Sequence, residues 1–355
     1  MRYTLVIFVG LFCFFACKKD KTKDSVSADP NFSIKAVDLS SYPEIKDLSF
    51  TTFNAAGYAE DMLLTLKNSG VNTIRLRIWK DPINGRCGLE EVSNLSKVLK
   101  QNGFKVWLTV HYSDTWADPG AQTKPEAWKL LSFAQLKDSV YAYTKQIVTL
   151  IHPDYIQIGN EVNNGFLWPE GSLLNKAQFL ELLSQGIKAV RQESPESKLI
   201  LQYAGYRNAQ WFLTNIGTVD VDMIGLSYYP MWHGNNLDSL QSVLTSIATQ
   251  TGKEVLIAET SYPFTLGWND WTNNVLGDST QLHPSYPATP QGQKDFLDKI
   301  RLISISAKNG KGFCYWGAEL ISTKGSTSKV GSAYENQALW DFNAKALPAM
   351  SVYLK

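Results

Sequence analysis

From Ile34 onward, short apolar runs alternate with longer stretches in which apolar residues recur every three or four positions. The short runs are Ile34–Asp38, Thr73–Trp79, Val106–His111, Tyr155–Glu161, Leu199–Tyr203, Met223–Tyr229, Val255–Glu259 and Gly312–Trp316. They are rich in Val, Ile, Leu and aromatic residues, the composition of buried strands. The longer stretches predict helices over Ala59–Ser69, Val92–Asn102, Phe133–Ile151, Gln178–Gln192, Leu237–Gln250 and Gln291–Asn309, with a weaker helix at Ala209–Leu213. Gly70, Gly103 and Gly310 follow three of these as stop signals, and Pro153 closes another.

Eight strands in regular alternation with helices predict an α/β fold, a (β/α)8 TIM barrel as one domain over residues 32–355. A doubly wound sheet is the alternative, but it usually carries a Gly-rich turn after its first strand. Asp38-Leu-Ser-Ser-Tyr-Pro43 has none. In a barrel the functional residues sit at the carboxyl ends of the strands. Those ends here carry Arg75, Arg77, Trp79, His111, Asn160, Glu161, Tyr229, Glu259 and Trp316, whereas the strand starts are apolar. The asymmetry points to a cleft at one face.

The amino terminus changes the picture of where the barrel works. Arg2 and the apolar run Leu5–Phe15 read as a signal peptide over residues 1–16, too short for an ordinary spanning helix. The run ends in Phe14-Phe15-Ala16-Cys17, which resembles a bacterial lipobox with Cys17 as the lipidated first residue of the mature chain. Residues 17–31 then form a tether; Lys18–Asp29 is rich in Lys, Asp and Ser, with no apolar periodicity. A membrane-anchored lipoprotein is expected, in the periplasm or on the outer membrane at the cell surface, with the barrel itself a monomer. Cys87 and Cys314 lie too far apart in sequence to read as a disulfide framework, and no Cys/His cluster has zinc-like spacing. The net charge of +1 over 355 residues gives no reason to expect a nucleic acid partner. Aromatics make up 12% of residues, with 11 Trp, more than a core needs, so part of the surplus should line a binding surface.

Glu161 ends the fourth predicted strand and Glu259 the seventh, 259 − 161 = 98 residues later. Two carboxylates facing across a barrel mouth suit cleavage of a glycosidic bond, and a separation of about 5–5.5 Å would specify retention of configuration. Asn160 can hydrogen-bond a sugar 2-hydroxyl, and Tyr229 can orient the nucleophile. Arg75 or Arg77 should keep Glu259 charged; Arg77, nearer the strand end, is the expected partner. Trp79, Trp116, Trp168, Trp232 and Trp316 offer flat faces for sugar stacking, and His111 a hydrogen bond. The loop Asn163–Gly171 is expected to expose Phe166 and Trp168 beside Glu161.

An Asn-Glu pair ending strand four and a Glu ending strand seven resemble the retaining barrel glycosidases. More narrowly, the chain is similar to glycoside hydrolase family 53, the arabinogalactan endo-β-1,4-galactanases. The matching stretches are Ile74-Arg-Leu-Arg-Ile-Trp79, His111-Tyr-Ser-Asp-Thr-Trp-Ala-Asp-Pro119, Gln157-Ile-Gly-Asn-Glu-Val-Asn-Asn-Gly-Phe-Leu-Trp-Pro-Glu170, Ile224-Gly-Leu-Ser-Tyr-Tyr-Pro230 and Ala258-Glu-Thr-Ser-Tyr-Pro263. The resemblance implies Glu161 as acid/base, Glu259 as nucleophile, β-1,4-galactan of pectic side chains as substrate, and no cofactor for the chemistry. It also implies a structural calcium joining the seventh and eighth loops. Asp270, Thr272 and Asn274 place oxygens at alternate positions, as a calcium loop does, and Ser332 and Glu335 match on the eighth loop. The chain departs from that pattern in having Trp268 where an acidic ligand is expected and Thr272 where a His is expected. Two competing readings share the motifs: another retaining barrel glycosidase, such as a mannanase or β-galactosidase, and a carbohydrate-binding surface lipoprotein without catalysis.

Overall fold

The computed structural model describes residue 1 and residues 29–355. The signal segment, Cys17 and nearly all of the tether lie outside the described residues. Every apolar run is a strand: β1 Ile34–Asp38, β2 Thr73–Ile78, β3 Lys105–Val110, β4 Tyr155–Ile158, β5 Lys198–Ala204, β6 Met223–Ser227, β7 Glu254–Thr260 and β8 Gly310–Tyr315. Each pairs in parallel with the next, and β8 pairs with β1, closing the barrel. Buried on both faces, parallel strands read as nearly continuous apolar runs, which is why they stand out in this chain.

The helices form the outer layer: α1 Tyr42–Asp47, α2 Met62–Asn68, α3 Leu89–Gln101, α4 Phe133–Ile151, α5 Lys176–Glu193, α6 Ala209–Ile216, α7 Pro230–His233, α8 Leu237–Thr251 and α9 Pro290–Ser306. The bounds of α4 are those expected from the sequence. Ser132 and Gln135 form a capping box at its start, and His152 ends it in a left-handed turn before Pro153. Two bounds differ. Helix α2 starts at Met62 because Ala59 bridges to Phe53 as extended chain and Asp61 caps the Leu63 N–H at 2.9 Å. Helix α9 stops at Ser306, because Ala307 is extended and Asn309 left-handed. The short helices α1 and α7, inside loops after β1 and β6, have too few residues to show a period.

The barrel interior changes character from one end to the other. Ile34, Ala36, Trp107, Tyr155, Ile200, Met223, Leu256, Ala258 and Cys314 form an apolar plug. Above it, on the same inward faces two residues further along, stand Asp38, Thr109, Gln157 and Gln202, all buried. Arg75, on β2, is buried beside them. The larger apolar cluster fills the space between strands and helices. A dry plug below a buried polar layer gives the carboxyl end of the barrel a rigid, low-dielectric floor.

Candidate active site

The polar layer converges on Glu259, which is 6% exposed at the end of β7. Arg75 Nη2 meets its Oε1 at 2.5 Å, and Gln202 Nε2 donates to the same oxygen at 2.7 Å. The Tyr229 hydroxyl donates to Oε2 at 3.0 Å. Arg75 is itself fixed on three other sides: Nη1 to Asp38 Oδ2 at 2.8 Å, Nε to Gln157 Oε1 at 3.1 Å and Nη2 to Asn160 Oδ1 at 3.0 Å. Gln157 in turn donates to Gln202 Oε1 at 2.5 Å. Each polar side chain thus has partners, as buried polar groups require. Burial alone would lower the Arg75 pKa, but the adjacent carboxylates of Glu259 and Asp38 outweigh it and raise it. The Tyr229 pKa is raised as well: burial and then the charge of Glu259 keep it a neutral phenol, able to donate.

The expected partner of Glu259 is therefore corrected from Arg77 to Arg75. Both point inward from β2, but Arg75 sits at the level of Gln157 and Gln202. One pleat higher, Arg77 bonds Ser41 Oγ at 3.2 Å instead.

Glu161 lies beyond the end of β4. Gly159 has φ +82°, and an added Cβ there would lie 2.5 Å from Val162 Cγ1, so this tight turn needs glycine. Glu161 itself has φ +48°, rare for a residue with a side chain and a common sign of a constrained functional position. The turn aims Glu161 into the same cleft as Glu259. Burial raises the Glu161 pKa to about 8, the negative charge of Glu259 adds to this, and a hydrogen bond from Ser227 opposes it. One carboxyl thus holds a proton next to another wrapped in donors and a cation, a division that separates an acid from a nucleophile.

The cleft, about 640 Å³, is lined by Arg77, His111, Trp116, Asn160, Trp232 and Trp316 as well as by the two glutamates and Tyr229. Asn160 donates to the Ala117 carbonyl at 2.7 Å, tying the β4 end to the loop after β3. His111 Nδ1 accepts the Ala117 N–H at 3.1 Å, which leaves the ring proton on Nε2; burial and the two arginines hold the ring neutral. Two sequence-predicted residues, Trp79 and Trp168, do not line this cavity. Trp79 is half-buried, edge-on to Trp116 with centroids 5.5 Å apart. Trp168, also half-buried, donates its indole N–H to the Asn164 carbonyl at 3.0 Å. Phe166, expected to be exposed, is fully buried against Tyr112 and Phe179. The sequence reading missed Asp38, Gln202, His233, Ser261, Tyr334 and Gln337. Two carried a signal: Asp38 and Gln202 are polar residues inside otherwise apolar strands.

Loops seven and eight are laced together: the Trp271 N–H reaches the Ser328 carbonyl at 2.8 Å, and the Val275 N–H reaches that of Ala333 at 2.9 Å. Among the described residues no three His, Cys, Asp or Glu side chains converge as a metal group. The expected calcium ligands nonetheless present unused oxygens. Asn274 Oδ1 and Glu335 Oε2 are sealed from solvent without a hydrogen-bond partner. Asp270 is buried and accepts from the Thr272 N–H and Ser322 Oγ, each at 2.7 Å. Ser332 Oγ accepts the Tyr334 N–H at 3.3 Å. Buried, unpartnered oxygens beside a carboxylate are donors of the kind a hard cation takes.

A closed parallel barrel holding two carboxylates of opposite character in the cleft at its carboxyl end defines a barrel glycoside hydrolase. The chain belongs to Glycosyl hydrolase family 53, whose sequence profile matches residues 34–353. It is 32% identical to an endo-beta-1,4-galactanase of Bacillus subtilis, over 90% of this chain and 85% of the relative. It is 33% identical to an arabinogalactan endo-beta-1,4-galactanase of Cellvibrio japonicus, over 88% of each. The Ignisphaera aggregans GH53 catalytic domain superposes with a TM-score of 0.86 at 37% identity, over 92% of this chain and 97% of that one.

Proposed function

We propose that the chain is an endo-acting β-1,4-galactanase that retains anomeric configuration, with Glu161 as acid/base and Glu259 as nucleophile. The observation that carries this reading is the contrast between the two carboxyls: Glu259 accepts from Arg75, Gln202 and Tyr229, while Glu161 holds a proton beside it. In the first step a Glu259 oxygen attacks the anomeric carbon as the glycosidic bond breaks, and the Glu161 proton passes to the leaving oxygen. In the second, Glu161 as carboxylate takes a proton from water, whose oxygen displaces Glu259 from the sugar. Galactan is the substrate favoured by the relatives' names, and several Trp side chains along the cleft suit a chain longer than one sugar.

Two further parts belong to this reading. A calcium ion held by Asp270, Asn274, Ser332, Glu335 and the Thr272 carbonyl would brace loops seven and eight, with no part in the chemistry; the unpartnered oxygens support it. Lipid on Cys17 would anchor the enzyme to a membrane, the tether giving it a reach of about 5–6 Å × √n for n residues.

The test is to incubate the purified protein with galactan, mannan, xylan and arabinan and analyse the products over time. Short galacto-oligosaccharides should appear first, from galactan alone. Galactose as the only early product would overturn endo action, and turnover of mannan in place of galactan would overturn the substrate.

A further inference from the structure

Arg77 lines the cleft without touching either catalytic candidate, and its contacts are unusual for a guanidinium. Its Cζ lies 4.2 Å from the centroid of the Trp116 ring and 5.1 Å from that of Trp79. It makes one side-chain hydrogen bond within the described residues, Nη2 to Ser41 Oγ at 3.2 Å, and its Nε is buried with no partner. A guanidinium that leaves a buried donor unused while lying over indole faces is held by stacking. Its base is fixed from below: the Ser41 N–H donates to Glu319 Oε1 at 2.7 Å, and the Arg77 N–H donates to Ser40 Oγ at 2.9 Å.

Trp116 is the cleft residue that this stack supports. It is 45% exposed. Its other ring neighbours meet it edge-on or tilted: Trp79 at 78°, His111 at 62° and Trp316 at 58°. Arg77 lies over the indole, the ring contacts set its tilt, and nearly half of the side chain stays open to solvent. Trp316, with centroids 6.2 Å away, makes a corner with it. The carbonyl of Ala117, next in the chain, accepts from Asn160.

Building on the glycosidase reading above, we propose that Arg77 is a positioning residue that fixes Trp116 as a sugar-stacking wall. It acts by lying over the indole and has no role in the ionisation of Glu259. The solvent-open side of Trp116 takes the C–H face of a sugar unit bound next to the cleavage point. Loosening Trp116 costs ground-state and transition-state binding alike, so KM rises while kcat holds.

The test is a double-mutant cycle with R77A and W116A on galactan, followed by kcat, KM, pH profile and melting temperature. R77A should raise KM about five- to twentyfold, the range of a desolvated cation–π contact, with kcat within about twofold. The acidic limb of the pH profile should stay in place. In the W116A background R77A should change KM less than about twofold, because its route of action is gone. Should R77A fold poorly, R77K is read the same way, since a lysine ammonium keeps the charge but not the planar stack. Equal effects of R77A with and without Trp116, a fall in kcat at constant KM, or a displaced acidic limb would overturn the proposal. A wild-type protein that leaves galactan intact would count against the substrate reading alone, and the cycle is then run on the polysaccharide it does cleave.

Discussion

At the scale of single residues, the proposed function rests on which carboxyl keeps its proton. Burial, then the charge of Glu259, push the Glu161 pKa up to about 8. Glu161 retains some contact with the cleft, and solvent there moderates the shift. In the proposed role of general acid it must be protonated, so kcat/KM should fall as pH rises through about 8. A pH–rate profile checks this; a basic limb near the ordinary carboxyl value of about 4.3 would remove Glu161 from the role. Much of this site was legible in the sequence. Glu161, Asn160, Tyr229 and Glu259 announced themselves as polar residues at the ends of apolar runs. The choice between Arg75 and Arg77 was not legible. They alternate on one strand and both face inward, so their partners depend on the height of Gln157 and Gln202, which only the register of the closed sheet fixes.

At the scale of elements, the seam between β1 and the loop after β8 stores a second buried acid. Glu319 is 1% exposed, and burial followed by the charge of Asp38 raises its pKa to about 8. Its partners are the Ser41 N–H, with the Arg77 guanidinium also near. The folded protein keeps this proton between the ordinary carboxyl value and about pH 8, while the unfolded chain has released it. Stability therefore declines as pH rises across that window. E319Q should flatten the decline and melt several degrees above wild type at pH 8 and higher; a variant that melts lower at every pH would contradict this. Glu319 was invisible in the sequence because its loop has no period. Phe166 misled for a related reason: a turn with left-handed Gly165 and Leu167 folds its ring inward, and local polarity does not report that.

Loops seven and eight make their own prediction. If calcium takes up the free oxygens of Asn274 and Glu335, chelator should lower the melting temperature and restored calcium should recover it, since a ligand of the native state stabilises by mass action. Melting unaffected by chelator, with no metal by elemental analysis, would contradict the site. The alternation Asp270, Thr272, Asn274 was readable from sequence; whether two separate loops meet there was not, because no local pattern encodes it.

At the scale of the whole molecule, the alternation of strand and helix was the most legible feature, because a parallel barrel buries each strand on both faces and marks it in composition. The proposed membrane anchor rests on the sequence before the barrel, outside the described residues. Cell fractionation tests it: wild-type protein should stay with membranes, and the C17A variant should be soluble. A C17A protein that remains membrane-bound would contradict lipidation.

The central claim is that Glu259 attacks the sugar directly, with Glu161 as acid and then base. Proton NMR of galactan during the first minutes of hydrolysis tests it most directly. The account predicts that new reducing ends appear first as the β-anomer and then mutarotate. Initial appearance of the α-anomer would mean attack by water, and would contradict the assignment of Glu259 as nucleophile.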